Sequence, residues 1–278
     1  MTIPTPALNA DGSIDAVVVR EVEPFGESAL LTLHLPITLP STPVSGRYFL
    51  ARPCQSTLTE QVNPTPVYLR TALFASSYRT TQQADGMPVG EWQFLLPQNA
   101  HTPLPWLHEV SPTASINFLG PFGNGFQLNP LCQRLLIVAD SARVATMFAL
   151  IDEALDAGKR VAVVVQGATL ESTLLSRLAI AVELHFAASQ EEWEHKTQEL
   201  LGWTDQLGIA VAPAIYTKLG AWVRQRRSRL DGGFAQVLVE ANLLCGVGAC
   251  LACVVPLSNQ SMTRACAHGP VLDLRLLA

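Results

Sequence analysis

The sequence carries little charge of either sign. Only 15% of its 278 residues are Asp, Glu, Lys or Arg, whereas about 25% is usual in globular proteins. Hydrophobic residues make up 49% of the chain, enough to bury a sizeable core, which excludes a disordered tail protein. The net charge is −5, so the chain has no excess of lysine and arginine to neutralise phosphates. No nucleic-acid partner is therefore expected.

Long apolar runs are also missing. The most hydrophobic stretch, 135–150, is broken by Asp140 and Arg143, so no run approaches the roughly 20 residues that cross a bilayer. The N-terminus has neither the basic start nor the apolar core of a secretory signal. We therefore expect a cytoplasmic protein with no membrane span. Sparse surface charge also favours a protein that buries part of its surface in a complex.

The cysteines are unevenly distributed. A long chain without an export signal is not expected to be a disulfide scaffold. Cys54 and Cys132 stand alone and are predicted to be buried or incidental thiols. The other four of the six cysteines are grouped near the C-terminus: Cys245, Cys250, Cys253 and Cys266.

The chain divides into three parts by pattern. Residues about 13–130 show short β-branched or alternating runs punctuated by proline and glycine, which predict a small antiparallel β-barrel. From residue 134 onward, buried-strand runs alternate with helical periodicity, which predicts a mostly parallel α/β sheet. We place a barrel at 1–129, an α/β domain at 130–232 and a small C-terminal module with a loop and hairpin at 233–278.

The spacing of the four C-terminal cysteines is C-x4-C-x2-C-x12-C. Its first three members match the plant-type [2Fe–2S] pattern. Gly246 and Gly248 allow a tight loop whose backbone N–H groups approach the sulfurs. The alternatives are structural zinc, which usually takes two separated C-x2-4-C knuckles, and unligated thiols. The spacing predicts a [2Fe–2S] cluster held by Cys245, Cys250, Cys253 and Cys266.

The chain resembles the electron-transfer subunits of class B dihydroorotate dehydrogenases, within the ferredoxin–NADP reductase superfamily. The stretch VLVEANLLCGVGACLACVVP and the later CAHGPVLDL carry the likeness most strongly, and Phe118–Phe126 (FLGPFGNGF) is similar to the segment that closes the family's flavin barrel. The resemblance implies an FAD-binding barrel, an NAD(H)-binding α/β domain and a cluster that relays electrons to an FMN-holding catalytic dehydrogenase subunit. It thus implies a flavoprotein in a hetero-oligomer of pyrimidine biosynthesis.

The resemblance also implies flavin-binding positions. The family's Arg-Pro-x-Ser motif stands here as Arg70-Thr71-Ala72-Leu73. The arginine is retained, but Leu73 replaces a serine hydroxyl and cannot hydrogen-bond. The positions at which FAD contacts are expected are Arg70, Thr71, Ala72, Leu73, Leu95, Leu96 and, in place of the family's Gly-Thr, His101 and Thr102.

The nucleotide-binding turns depart further from the family. After the first strand the family has a glycine-rich turn that admits phosphates, whereas this chain has Asp140-Ser141-Ala142-Arg143. The later Cys-Gly-Pro turn is Val211-Ala212-Pro213. A carboxylate opposite a phosphate is unfavourable, so ordinary NAD(H) binding is not expected.

Three functions remain open at this point. The first is an oxidoreductase subunit for electron transport that carries a [2Fe–2S] cluster and FAD. The second is a subunit that has kept only the cluster, with the barrel and α/β domain as scaffold. The third is an interaction module stabilised by zinc. No residue stands out as a general acid or base, and a one-electron relay needs none.

Overall fold

The computed structural model describes residues 5–26, 28–36, 44–54, 70–83, 86–97, 107, 110–167, 171–227 and 231–278. Within those ranges, we find no helix with the length and apolar character of a membrane span. The predicted fold class is confirmed: an antiparallel barrel is followed by a six-stranded α/β sheet and a small C-terminal module.

Six antiparallel strands close the barrel, because β2 pairs with β8 on one side and with β4 on the other. Around the barrel the order is β2-β8-β5-β6-β7-β4, and two short strands extend it at the edges. Phe49, Phe94 and Phe118 fill the interior, with ring centroids 5.4–6.0 Å apart. The strands are β1 (Ala7–Leu8), β2 (Ile14–Val18), β3 (Glu23–Phe25), β4 (Ser28–Leu35), β5 (Tyr48–Pro53), β6 (Thr71–Gln82), β7 (Pro88–Pro97) and β8 (Ser115–Phe122).

The second sheet has the order β11-β10-β9-β12-β13-β16, with all neighbours parallel except the last pair. Its central strands read as continuous apolar runs because helices cover both faces. The strands are β9 (Arg134–Asp140), β10 (Arg160–Gln166), β11 (Val182–Ala187), β12 (Gln206–Ala210), β13 (Ala235–Leu238) and β16 (Val271–Asp273). The helices are α1 (Phe148–Asp156), α2 (Glu171–Arg177), α3 (Gln190–Leu201) and α4 (Tyr216–Arg226), with 3₁₀ turns at Val144–Met147, Pro213–Ile215 and Leu274–Leu276.

β9 and β12 are parallel neighbours, but the order of the strands reverses between them: β10 and β11 follow β9 toward one edge of the sheet, and β13 follows β12 toward the other. In doubly wound sheets, ligands bind at the carboxyl ends of the strands beside such a reversal of strand order. The turns that follow these two strands begin at Ser141 and Val211. The architecture therefore provides the place for a dinucleotide, and the residues at that place decide whether one fits.

The barrel and the α/β sheet share one hydrophobic core. Phe25 of the barrel meets Phe148 edge to face, with ring centroids 5.7 Å apart. The Ser76 hydroxyl donates to the carbonyl oxygen of Ala145 over 2.7 Å. The Glu153 carboxylate on α1 accepts from the Ser45 hydroxyl over 2.6 Å. These buried contacts fix α1 and the turn before it against the barrel.

The C-terminal module leaves the sheet and returns to it. After β13, a long loop leads to a hairpin of β14 (Val254–Pro256) and β15 (Met262–Arg264), then to α5 (Ala265–His268), and β16 pairs back on β13. The predicted boundary near residue 232 groups β13 with this module, whereas β13 hydrogen-bonds as the fifth strand of the α/β sheet. The division of the chain into three domains at 129 and 232 stays a prediction.

Candidate functional site

The loop that carries the clustered cysteines packs directly on the outside of the barrel. Gly246 has a left-handed backbone, with φ 71°. A Cβ atom at that position would lie 3.3 Å from Leu50 and 3.4 Å from Phe122. Glycine is thus favoured here by its backbone conformation and by the close approach of the barrel. The loop is thereby seated over β5 and the end of β8.

The four clustered cysteines make two pairwise contacts in the structure. The Sγ atoms of Cys253 and Cys266 lie 3.1 Å apart, and both residues are buried. Cys245 and Cys250 form the second pair, in which backbone and thiol groups of Cys250 hydrogen-bond Cys245. Burial and the contact with Cys253 raise the pKa of Cys266 to about 12. Hydrogen bonds from the backbone of Cys250 and Val247 lower the pKa of Cys245 to about 6.

Pairs of sulfurs suit two metal centres better than one. A structural zinc would need its four ligands around one point. A [2Fe–2S] cluster has two irons, and four thiolates shared between them leave two for each. The paired arrangement therefore fits a binuclear cluster.

Backbone groups also point at the sulfurs. The N–H of Gly248 donates to the Sγ of Cys266 over 3.1 Å, and Gly248 has a left-handed φ of 74°. Nη1 of Arg264 donates to the Gly248 carbonyl oxygen over 3.1 Å, which holds this peptide in place. Such bonds to cluster sulfurs tune the potential of iron–sulfur centres.

The outer face of the cysteine loop is apolar and exposed. Cys250 itself is exposed. We call the exposed hydrophobic residues of this loop and of the hairpin after it the apolar rim: Leu244, Val247, Leu251, Val254 and Met262. Val247, Leu251 and Met262 are 60–70% exposed. Several exposed apolar side chains within one short segment are typical of an interaction surface.

The predicted flavin positions that the structure describes lie on different faces of the barrel wall. Arg70 donates from Nη1 to the carbonyl oxygens of Leu50 and Asn117, and from Nη2 to Oδ1 of Asn117. Its guanidinium is therefore already bonded to the barrel. Leu73 and Leu96 are wholly buried inside the barrel, so their side chains face away from a ligand outside it.

The remaining flavin positions have different surroundings. Thr71 is half-buried. Ala72 packs beside the buried cysteines, whereas Leu95 lies in the core shared with the α/β sheet. His101 and Thr102 lie outside the described residues. A flavin contact at these positions stays a prediction.

An ion-pair triad occupies the turn after β9. Arg143 bonds the Asp140 carboxylate on one side, and on the other side its Nη2 lies 2.7 Å from Oε2 of Glu240. Burial raises the pKa of Asp140 even though Arg143 is beside it. Two carboxylates thus flank the arginine where a pyrophosphate would approach, and they already neutralise its charge. The described turn does not fit an ordinary dinucleotide phosphate.

The sequence does not predict the roles of three further residues at the candidate site. Tyr48 is packed against the cysteines, Arg264 braces Gly248, and Glu240 pairs with Arg143 across the sheet. Each acts on a partner at least 16 residues away in the chain, so no local spacing reveals these roles. These roles become visible only when the fold brings the distant residues into contact.

Comparison with known proteins agrees with this geometry. Residues 240–278 match the model of the iron–sulfur cluster binding domain of dihydroorotate dehydrogenase B. Among solved structures, the chain is similar to a chain of the NADH-dependent reduced ferredoxin–NADP oxidoreductase. The two are 16% identical and have a TM-score of 0.69, and the match covers 94% of this chain and 88% of the other. It is also similar to the cytochrome b5 reductase domain of Ulva prolifera nitrate reductase, with 11% identity and a TM-score of 0.52 over 84% and 99%.

The fold is thus similar to that of a ferredoxin–NADP oxidoreductase, and the C-terminal residues match an iron–sulfur cluster binding domain. The chain's curated relatives are electron transfer subunits of dihydroorotate dehydrogenase B (NAD(+)). The subunit from Geobacillus thermodenitrificans is 27% identical over 176 residues, and that from Bacillus caldolyticus is 29% identical over 180 residues. In both cases the alignment covers 59% of this chain and 66% of the relative, just under two thirds.

Proposed function

We propose that this chain is an electron-transfer subunit whose working centre is a [2Fe–2S] cluster. The observation that carries the proposal is the arrangement of four cysteine sulfurs as two pairs under one loop, with the Gly248 N–H directed at Cys266. Cys245 and Cys250 hold one iron, and Cys253 and Cys266 hold the other. When bound, the cluster supplies the ability to take up and release one electron.

The chain's own residues position and shield that centre. Cys253 and Cys266 are buried against the barrel, whereas Cys250 is exposed. Leu50 and Phe122 lie under the loop and exclude water from the barrel side. The centre therefore has a dry inner side, facing the barrel, and an outer side at the protein surface.

The outer side is where we place the partner. The apolar rim lies in the same loop and hairpin as the exposed Cys250, so a surface docked there would bring an acceptor or donor group near the centre. Leu251 has a left-handed backbone, with φ 60°, although it is not glycine. Such a backbone costs on the order of 1–3 kcal/mol and persists at functional surfaces. We propose that the occupant is the catalytic dehydrogenase subunit of a hetero-oligomer.

The curated relatives suggest what that partner does. They are named as electron transfer subunits of dihydroorotate dehydrogenase B, so we propose that the assembly oxidises dihydroorotate for pyrimidine biosynthesis. A cytoplasmic location fits, because thiols that ligate iron stay reduced there. Mixing the oxidised chain with a candidate partner and dihydroorotate, and following reduction of the cluster in the visible spectrum, tests this assignment. If no dihydroorotate-oxidising subunit reduces the cluster, the assignment is rejected.

The proposal has two versions. In the first, the subunit carries FAD in the barrel as well as the cluster. The fold supports it, since the barrel precedes an α/β sheet as in the ferredoxin reductases. Arg70 is the charged residue of the predicted motif, and it would have to exchange its bonds to Leu50 and Asn117 for a phosphate.

A cluster-only subunit is the second candidate, and one observation favours it. The Asp140–Arg143–Glu240 triad fills the turn at which a nicotinamide nucleotide would bind. In this version the α/β domain is a scaffold that holds the cluster loop against the barrel. Electrons then enter and leave through the apolar rim alone.

The deciding experiment is the iron, acid-labile sulfide, zinc and flavin content of the anaerobically purified chain. Two irons and two sulfides per chain with FAD support the first version, and the same without flavin supports the second. Zinc without labile sulfide would reject both and leave an interaction module. Reduction of the cluster by NADH would dismiss the cluster-only version.

A further inference from the structure

Tyr48 is a wholly buried tyrosine beneath the cysteine loop. It opens β5, is 0% exposed, and packs in the same small core as Cys253 and Cys266. Its ring centroid lies 6.0 Å from that of Phe74 and 5.8 Å from that of Phe122. The ring is thus held on two sides by aromatic carbon, which cannot accept a conventional hydrogen bond.

The phenol group of Tyr48 lacks a partner inside the protein. Among the described residues, no donor or acceptor hydrogen-bonds its hydroxyl. Leaving a buried hydroxyl unpaired costs about 1–3 kcal/mol, so such groups call for a reason. A phenylalanine would fill the same space without that cost. The hydroxyl is therefore expected to bond something at this site.

The chemically suitable partners are on the sulfur side. Tyr48 belongs to the same small buried core as Cys253 and Cys266, and Cys245 packs against that core. A cluster held by these cysteines would add inorganic sulfide at the same place. A neutral phenol is a donor, and cluster sulfurs are acceptors.

We propose that Tyr48 is a positioning residue that donates its hydroxyl hydrogen bond to the sulfur shell of the cluster and raises the cluster's reduction potential. The inference rests on the proposed [2Fe–2S] centre. Reduction adds one negative charge to the cluster, so a donor stabilises the reduced form more than the oxidised form. Tyr48 transfers neither an electron nor a proton.

The test is a redox titration of the full chain carrying Tyr48→Phe, followed by the visible spectrum. The expected result is an unchanged iron and sulfide content with a midpoint potential lowered by about 59 mV, a tenfold shift of the one-electron equilibrium. The matched control is Tyr216→Phe, which removes another buried, unpartnered hydroxyl within the described part of the chain but leaves the potential unchanged. An unchanged potential in Tyr48→Phe would overturn the proposal.

A second variant keeps the test decisive if Tyr48→Phe fails to hold the cluster. Incorporation of 3-fluorotyrosine at position 48 preserves the ring and makes the hydroxyl a stronger donor. The potential should then rise above that of the unmodified chain, and an unchanged value would contradict the role. If the unmodified chain contains no iron and sulfide, it is the proposed function that fails, and the two failures are distinct.

Discussion

Left-handed backbone at single residues shapes the cysteine loop. Gly248 has φ 74°, which places its N–H toward Cys266 and its carbonyl oxygen toward Arg264. A Cβ atom there would lie 3.4 Å from Nη1 of Arg264 and 3.5 Å from Cβ of Ala267, which are ordinary contacts. The requirement for glycine is therefore conformational rather than steric.

Gly248→Ala should destabilise the chain by about 1–2 kcal/mol, the cost of left-handed backbone in a residue with a side chain. Gly158 is the matched control, since it has φ 69° after α1 and nothing within 4 Å of an added Cβ. Gly158→Ala should lose similar stability in urea unfolding. Only Gly248→Ala should release iron faster to a chelator. Equal release rates in the two variants would show that the Gly248 peptide does not support the cluster.

The cysteines are not equivalent, and substitution separates their roles. Cys250→Ser removes one proposed iron ligand, so the visible spectrum and iron content should be lost or much reduced. Cys132→Ala is the control, because Cys132 is buried in the core of the α/β sheet and burial raises its pKa. That variant should keep its iron and spectrum. A Cys250→Ser protein with the iron content of the unmodified chain would contradict the ligand assignment.

At the scale of elements, periodicity predicts most of the fold and little of the site. Strands such as β10 (RVAVVVQ) can be predicted from their continuous apolar runs, because both of their faces are buried. The spacing of the cysteines predicts the cluster loop. The boundary near residue 232 separates β13 from its sheet, because only pairing with β12 shows where it belongs. Tyr48 looks like any apolar strand residue in sequence. Its nearness to the cysteines arises from the packing of two distant elements.

Helix α1 is fastened to the barrel by a half-buried carboxylate. Burial raises the pKa of Glu153 above its ordinary value of 4.5, although Ser45 and Val44 donate hydrogen bonds to it. A raised pKa means that the folded state binds the proton more tightly than the unfolded state. The stability contributed by this group is therefore present below pH 4.5 and is lost as the pH rises through the raised pKa.

Glu153→Gln should remove this dependence, since the amide keeps an acceptor for the backbone and does not ionise. Relative to the variant, the unmodified chain should lose stability between pH 4.5 and neutrality in a series of urea unfolding curves. Glu194→Gln gives the opposite sign, because hydrogen bonds from Lys218 and Gln190 lower the pKa of Glu194. In that comparison, the stability of the unmodified chain relative to Glu194→Gln should decrease as the pH falls. A stability difference independent of pH for Glu153→Gln would refute the assignment.

In the molecule as a whole, the proposed cluster site lies where the barrel, the α/β sheet and the C-terminal module meet. The barrel supplies the inner wall with Leu50 and Phe122, and the α/β sheet anchors both ends of the C-terminal module through β13 and β16. Shared core and buried hydrogen bonds join the barrel to α1. The two larger parts of the molecule thus leave one small loop exposed, and we expect the chemistry of the apolar rim to decide whether the proposed partner docks there.

A charge placed in the apolar rim should therefore block transfer to the partner without disturbing the cluster. Val247→Asp changes a side chain that is 70% exposed, so iron content, spectrum and unfolding curve should stay as they are. Burying an unpaired carboxylate in the complex is costly, so partner affinity should fall by at least tenfold, or about 1.4 kcal/mol. Leu131→Asp is the control, since Leu131 is 84% exposed and precedes β9 at the opposite end of the sheet. If both variants bind the dehydrogenase subunit as tightly as the unmodified chain, the partner docks elsewhere and the rim has another use.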